Sequence, residues 1–215
     1  MLYKKDSASN AFGILTSLFG IGLFVALYVV ATLLYPGGSQ ADKISKGFSW
    51  MHNYWCNLLS VEAMNGAHNA ARPVAVTAMI VLCLSLMIFW YYLPRLFNFD
   101  RLGSRIIQLS GIISMLSAIF LLNQEHDLVI NVAGFFGMIA LVGAFVGLYK
   151  IHFIKLLQLG FVCALLVAVN NYVYYTKDFI FYLPVIQKIT FASVLVWIFL
   201  VGVKIYSKKS VVLAN

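Results

Sequence analysis

LVINVAGFFGMIALVGAFVGLY, residues 128–149, is a run of 22 residues without a charged side chain. A helix of this length spans about 30 Å, the thickness of the hydrocarbon core of a bilayer. Five further apolar blocks occur, at about residues 12–35, 74–93, 106–122, 153–175 and 183–206. The sequence therefore predicts an all-α membrane protein, an antiparallel bundle of six transmembrane helices that forms one domain over residues 1–215.

The composition excludes an ordinary soluble domain. The chain has 215 residues, of which 62% are hydrophobic and 10% are charged, whereas about a quarter of the residues of a soluble domain are charged. The formal net charge is +8, but the basic residues occur in short runs between apolar blocks. A nucleic-acid partner is not expected, because no patch of interleaved arginine and aromatic residues occurs. The three cysteines, Cys56, Cys83 and Cys163, imply no disulfide framework.

The charges predict the orientation of the helices. If the N-terminus is cytoplasmic and six helices alternate, the inner side carries ten cations and two anions, whereas the outer side carries five of each. The positive-inside rule favours this arrangement, with both termini in the cytoplasm. The inner cations are Lys4, Lys5, Arg95, Arg101, Arg105, Lys150, Lys155, Lys204, Lys208 and Lys209.

The connection at residues 36–73 is the only long one. It interleaves aromatic residues such as Trp50 and Trp55 with His52, Asn53 and Asn57. Long connections in compact proteins are usually structured or functional, and aromatic residues with polar tips suit the membrane interface. We therefore expect a structured outer loop with a short interfacial helix near residues 47–60.

Small residues predict close helix contacts. Gly143 and Gly147 form a G-x-x-x-G pair, and Ser110 and Ser114 have the same spacing. Such pairs let helices approach closely in lipid. Packing within the chain is the expected role, and the sequence does not predict an oligomeric state.

Polar residues that solubility does not explain gather at the predicted outer end. Lys188 is the clearest case, because an ionisable residue inside a membrane segment is costly and suggests a functional site. Its long stem could instead reach the headgroups. Asp127 is the expected partner of Lys188, although it could equally cap the fourth helix. The candidate ligand-binding residues are Asn53, Asn57, Arg72, Asn131, Asn171 and Lys188.

Catalytic candidates lie at the same end. Ser49 and His52 are three residues apart, so that a helix would bring a nucleophile and a base to one face. His126 and Asp127 are further candidates. His52, His68 and His126 are numerous enough for a zinc site, but their spacing matches no zinc motif. Neither a cofactor nor a metal is predicted.

The loop carries a family resemblance. Tyr35-Pro36-Gly37-Gly38, Phe48-Ser49-Trp50, the run from Asn53 to Leu58, Asn65-Gly66 and the run from Asn69 to Pro73 resemble the uncharacterised bacterial six-helix membrane family named domain of unknown function 998. The resemblance covers most of the chain and implies a six-helix fold with a polar outer site. Asn57 stands where that family tends to have Asp, and Gln187-Lys188 stands where it tends to have Glu-Arg. The expected location is the inner, or plasma, membrane of a bacterium.

Three functions are compatible with these features. The leading hypothesis is a multi-pass membrane protein that binds a lipid or small amphiphile in an outer-facing polar pocket. The alternative is a membrane-embedded hydrolase that acts on lipids at the same face. A transporter is less favoured, because no repeat and no Gly- or Pro-broken helix near mid-membrane occurs.

Overall fold

The computed structural model of the protein describes the backbone of residues 2–97, 99–120 and 126–214, and the side chains of residues 12–97, 99–120, 129 and 131–208. These residues form six long α-helices and three short 3₁₀ helices. The α-helices are α1 (Leu2–Leu34), α2 (Arg72–Tyr92), α3 (Arg101–Phe120), α4 (His126–Lys150), α5 (Ile154–Thr176) and α6 (Leu183–Ala214). The 3₁₀ helices cover Trp55–Leu59, Leu93–Leu96 and Ile180–Tyr182.

Each α-helix contributes to a segment that is long and apolar enough to cross a membrane, and the described residues contain six such segments. The predicted fold class, an all-α membrane protein made of six transmembrane helices with a long structured first loop, is confirmed. The segments are Phe12–Leu34, Arg72–Leu96, Arg101–Phe120, Asn131–Lys150, Ile154–Thr176 and Ile180–Lys208.

The helix bounds differ from the predicted ones mainly where a helix continues into polar sequence. α2, α4 and α5 agree with prediction within two residues at each end. α1 begins ten residues earlier than predicted, α3 begins five residues earlier, and α6 ends eight residues later. Hydropathy marks the part of a helix that lipid covers, whereas a helical backbone satisfies its own hydrogen bonds in water as well as in lipid.

Local chemistry fixes the helix ends. α1 stops before Pro36, whose ring lacks an N–H and restricts the preceding residue. Gly38 follows with a φ of +80°, and a Cβ there would lie 2.3 Å from the backbone N of Asn65. α3 begins after Asp100, whose carboxylate accepts a hydrogen bond from the N–H of Gly103 at 3.0 Å, as helix-capping residues do.

The chain divides into two compact units. The first contains Met1–Gly22, Ile80–Gln158 and Trp197–Asn215, and the second contains Leu23–Met79 and Leu159–Val196.

In the first unit, α3 and α4 pack through small residues. A Cβ on Gly143 would lie 2.5 Å from Cγ1 of Ile107, and one on Gly147 would lie 2.4 Å from the Phe97 ring. The Ser114 hydroxyl donates a hydrogen bond to the carbonyl of Ala133 at 2.7 Å. The small residues therefore serve packing within the chain, as predicted.

The second unit contains the connection between α1 and α2, residues 35–71, here called the long loop. Isolated antiparallel bridges pair Gly37 with Lys46 and Glu62 with His68. Within residues 47–60, where we expect a short interfacial helix, the structure has one short helix, the 3₁₀ helix Trp55–Leu59. Asparagine side chains bond to the backbone here and compete with helical hydrogen bonds, as short polar residues commonly do.

Candidate functional site

The long loop is organised around Asn53, which is fully buried. Its side-chain oxygen accepts a hydrogen bond from the N–H of Ser49 at 2.8 Å. Its amide nitrogen lies 2.9 Å from the carbonyl oxygen of Gly38 and 3.4 Å from Oδ1 of Asn57. One side chain thus ties Ser49 and Gly38, whose bonded backbone groups lie outside any helix, to Asn57 of the 3₁₀ helix.

Asn69 ties the end of the long loop to its middle. It is fully buried, and its amide donates to the carbonyls of Asn57 at 3.0 Å, Leu58 at 3.3 Å and Ser60 at 2.8 Å. Its side-chain oxygen accepts from the N–H of Ala71 at 3.1 Å, just before α2. Asn69 therefore both forms a turn just ahead of α2 and satisfies the end of the 3₁₀ helix.

Two side chains of α6 hold the long loop. Oε1 of Gln187 accepts a hydrogen bond from the N–H of Trp55 at 3.1 Å. The Lys188 ammonium donates to the carbonyls of Asn53 at 2.5 Å and Pro184 at 2.9 Å, and it lies 5.6 Å from the centre of the Phe48 ring. Lys188 thus has partners in the backbone of the chain itself, which compensates for much of the cost of its partial burial.

A cavity of about 230 Å³ lies beside this network. It is lined by Gln40, Ala41, His52, Tyr54, Ile180, Phe181 and Pro184. The His52 and Phe181 rings are 5.2 Å apart between centroids. A phenol is protonated at neutral pH and can donate a hydrogen bond, and burial raises the pKa of the Tyr54 phenol further above its usual value. This cavity, here called the loop pocket, combines a few polar groups with apolar walls, as small-molecule sites do.

The predicted Ser49 and His52 pair is in contact. Oγ of Ser49 lies 3.2 Å from Nδ1 of His52, and it also accepts the backbone N–H of His52 at 3.3 Å. The second bond is that of a local serine turn. The pair can exchange a proton, but the described contacts of His52 include no carboxylate that would orient its ring.

Of the other predicted site residues, one has a backbone contact and three are exposed. Nε of Arg72 donates to the carbonyl of Leu59 at 3.1 Å, which is a structural contact. Asn131 on α4 and Asn171 on α5 are exposed, as is His68. Among the described residues, no group of three or more His, Cys, Asp or Glu side chains could hold a metal ion.

The side chains of His126 and Asp127 lie outside the described residues. The predicted pairing of Asp127 with Lys188, and any metal site that uses His126, therefore stay predictions.

Sequence reasoning missed the part that Asn69 and Gln187 play in holding the loop. The signal for Asn69 was its residue type shortly before a helix with proline in its first turn, since asparagine commonly bonds to the backbone two residues further on. It also missed the apolar wall of the loop pocket, since Ile180 and Phe181 come from the distant α5–α6 connection and Pro184 comes from the start of α6. Within the described chain, the indole N–H of Trp55 and the amide oxygen of Asn170 are buried without a hydrogen-bond partner.

No protein-family model, no curated protein and no solved structure matches the chain.

Proposed function

We propose that this multi-pass membrane protein binds a small amphiphile in the loop pocket, with the polar part of the ligand against Gln40, His52 and Tyr54. The observation that carries the proposal is the lining of the pocket. Its polar groups come from the long loop, and its apolar wall comes from Ile180, Phe181 and Pro184.

The size and the surroundings of the pocket indicate the class of ligand. A volume of about 230 Å³ lies below the usual range for drug-sized ligands, roughly 300–1,000 Å³. It suits a headgroup such as a glycerol or an ethanolamine, and not a whole lipid. Ile180 and Phe181 are partly exposed, so an acyl chain can leave the pocket along them. Asn53 and Lys188 fix the loop behind the pocket, which lowers the entropic cost of binding.

Two phenylalanines of the α5–α6 connection provide a matched test. Both are exposed, but Phe181 lines the pocket and Phe179 does not. We expect Phe181→Ala to weaken the binding of a monoacylglycerol to the full-length protein in nanodiscs by about tenfold, which corresponds to the loss of one aromatic contact. Phe179→Ala should bind as the unmodified protein does. Equal affinities for the two variants would contradict the proposal.

A lipid hydrolase is the second candidate, and the 3.2 Å contact between Ser49 and His52 is the observation that favours it. In that reaction, Nδ1 of His52 would take the proton of the Ser49 hydroxyl as its oxygen attacks an ester or amide carbonyl. The ring would return this proton to the alcohol or amine as the ester or amide bond breaks, and water would then hydrolyse the acyl-serine to a free acid. A fluorophosphonate should then label Ser49 in the full-length protein. Ser49→Ala should abolish the labelling, whereas Ser60→Ala should not. Absence of labelling leaves the binding function as the better account.

The proposed location is the plasma membrane of a bacterium, with cytoplasmic termini and the long loop outside. We also propose that the chain is related to the family named domain of unknown function 998, which it resembles in sequence. Support comes from the cations in the α2–α3 and α4–α5 connections and the α6 end, since the positive-inside rule puts such segments in the cytoplasm.

Cysteine labelling tests this orientation. Cys56 is exposed, whereas Cys83 and Cys163 are buried. In intact cells, a membrane-impermeant maleimide should label Cys56, and a cysteine introduced by Ser207→Cys should stay unlabelled until the cells are broken. Labelling of the Ser207→Cys variant in intact cells would reverse the orientation.

A further inference from the structure

A cavity of about 400 Å³ opens in the first unit, remote in sequence from the long loop. It is lined by His152, Phe153, Ile154, Lys155, Leu156 and Lys204. Lys155 and Lys204 come from α5 and α6, and both are exposed. The Lys204 ammonium lies 5.8 Å from the centre of the Phe153 ring. Within the described part of the chain, two amines and no carboxylate therefore face this space.

The cavity belongs to a strongly basic end of the first unit. The Lys208 ammonium donates to the carbonyl of Leu96 at 2.8 Å, and that of Lys150 lies 5.2 Å from the centre of the Phe99 ring. These contacts bring the α2–α3 connection together with the ends of α4 and α6. Residues 93–108, 149–156 and 203–208 contain seven cations and one carboxylate, that of Asp100. The cations are Arg95, Arg101, Arg105, Lys150, Lys155, Lys204 and Lys208.

Several of these cations already have partners within the unit. The Arg95 guanidinium lies over the rings of Tyr91 and Tyr92 at 5.0 and 4.5 Å, and Lys150 and Lys208 have the contacts given above. Asp100 caps α3. Lys155 and Lys204 differ from the others because they line one cavity from two helices.

We propose that this cavity binds the phosphate of an anionic phospholipid, with Lys155 and Lys204 on either side of the phosphate. Two ammonium groups complement one phosphodiester, and hydrogen bonds to a charged phosphate are short and strong. The apolar remainder of the lining, Phe153, Ile154 and Leu156, suits the glycerol and the first carbons of the acyl chains. A lipid is favoured over a free phosphate because four of the six lining side chains lack a charge, and because basic pockets between transmembrane helices typically bind lipid headgroups.

The experiment compares two lipids and two double variants of the full-length protein in a neutral detergent. The ligands are dioctanoyl phosphatidylglycerol and the phosphatidylcholine with the same chains, and affinity is measured by native mass spectrometry. K155Q/K204Q should weaken phosphatidylglycerol binding about 30-fold, which corresponds to about 2 kcal/mol, or about 1 kcal/mol for each cation. Phosphatidylcholine binding should change less than about threefold, because a zwitterionic headgroup gains little from the two amines.

R101Q/R105Q is the matched control, since Arg101 and Arg105 are exposed cations of the same unit that do not line the cavity. It removes the same charge and should weaken phosphatidylglycerol binding less than about threefold. K155R/K204R keeps both charges and should retain the affinity, which separates loss of charge from loss of folding. Equal losses in K155Q/K204Q and R101Q/R105Q would overturn the proposal in favour of a general surface potential. If glycerol phosphate competes for the cavity as strongly as the lipid does, the assignment to a lipid is overturned.

Discussion

The long loop and the α3–α4 pair are both closely packed, but they use opposite chemistry. In the loop, Asn53 and Asn69 are fully buried and bond to backbone groups. On α4, Gly143 leaves room for Ile107 of α3, and Gly147 leaves room for Phe97 of the α2–α3 connection. A helix satisfies its own backbone, so apolar surfaces need only approach closely, whereas a loop backbone needs partners from side chains. Polar residues in this protein are therefore not in themselves signs of a binding site.

The largest effect on stability is expected for Asn69→Ala. Its amide nitrogen donates to three carbonyls and its side-chain oxygen accepts from one N–H, and the variant removes these partners from groups that, apart from the carbonyl of Ser60, belong to buried residues. At about 1 kcal/mol for each lost bond, the free energy of unfolding should fall by about 3–4 kcal/mol. Thermal unfolding in detergent measures this change.

Asn65→Ala is the control for Asn69→Ala. Asn65 is an exposed asparagine of the same loop, and its side-chain oxygen accepts one hydrogen bond, from the N–H of Ala67 at 3.0 Å. Its loss should cost about 0.5–1 kcal/mol. If the two variants melt at the same temperature, the buried amides do not hold the loop.

Gly143→Leu tests the contact between α3 and α4 and should have the next largest effect on the free energy of unfolding. The first added carbon would already lie 2.5 Å from Ile107, which is buried. Overpacking of this kind costs about 1–3 kcal/mol, and we expect about 2–3 kcal/mol in thermal unfolding. Gly134→Leu in the same helix is the control, because a Cβ there meets no atom within 4 Å. Equal melting temperatures for the two variants would place Gly143 on an open face of α4.

These two regions also show what the sequence can predict. The six apolar blocks and the G-x-x-x-G pair lie on contiguous or regularly spaced residues, so hydropathy and spacing identify them. Asn53 pairs with Gly38 across fifteen positions, and Trp55 pairs with Gln187 across 132. Such pairs depend on the path of an irregular chain, and no local pattern encodes that path. The Ser49 and His52 contact was predictable because it is local, although a turn and not a helix brings the two together.

Lys188→Met should lower the free energy of unfolding less than Asn69→Ala or Gly143→Leu does. The change removes two hydrogen bonds from a charged donor, but it also removes the cost of holding a cation in a partly buried site. We expect the free energy of unfolding to fall by about 1–2 kcal/mol in thermal unfolding. Lys177→Met is the control, since the Lys177 ammonium is exposed and lies over the Tyr174 ring at 4.2 Å. It should cost less than about 0.5 kcal/mol.

The same variant tests the predicted ion pair with Asp127. If Lys188 acts only through the carbonyls of Asn53 and Pro184, Asp127→Asn and Lys188→Met should be additive within about 0.5 kcal/mol. If the two charges meet, the double variant should be more stable than the sum of the single changes predicts, because each single change leaves one charge unpaired. The double-mutant cycle thus decides whether Lys188 belongs to the structural network alone or to a charged site as well.

Among the test variants, Ser49→Ala should lower the free energy of unfolding least, by about 0.5–1 kcal/mol. It tests whether Ser49 stabilises the loop or contributes to the loop pocket. Its hydroxyl accepts a local turn bond from the N–H of His52, and that N–H also donates to the carbonyl of Ser49 at 3.3 Å, so the variant leaves it with a partner. Ser60→Ala, at an exposed position of the same loop, should change stability by less than about 0.3 kcal/mol. A loss above about 2 kcal/mol for Ser49→Ala would make Ser49 part of the framework that Asn53 and Asn69 build. A small loss combined with weaker monoacylglycerol binding would assign Ser49 to the loop pocket, because removing the hydroxyl frees the ring of His52 that lines it.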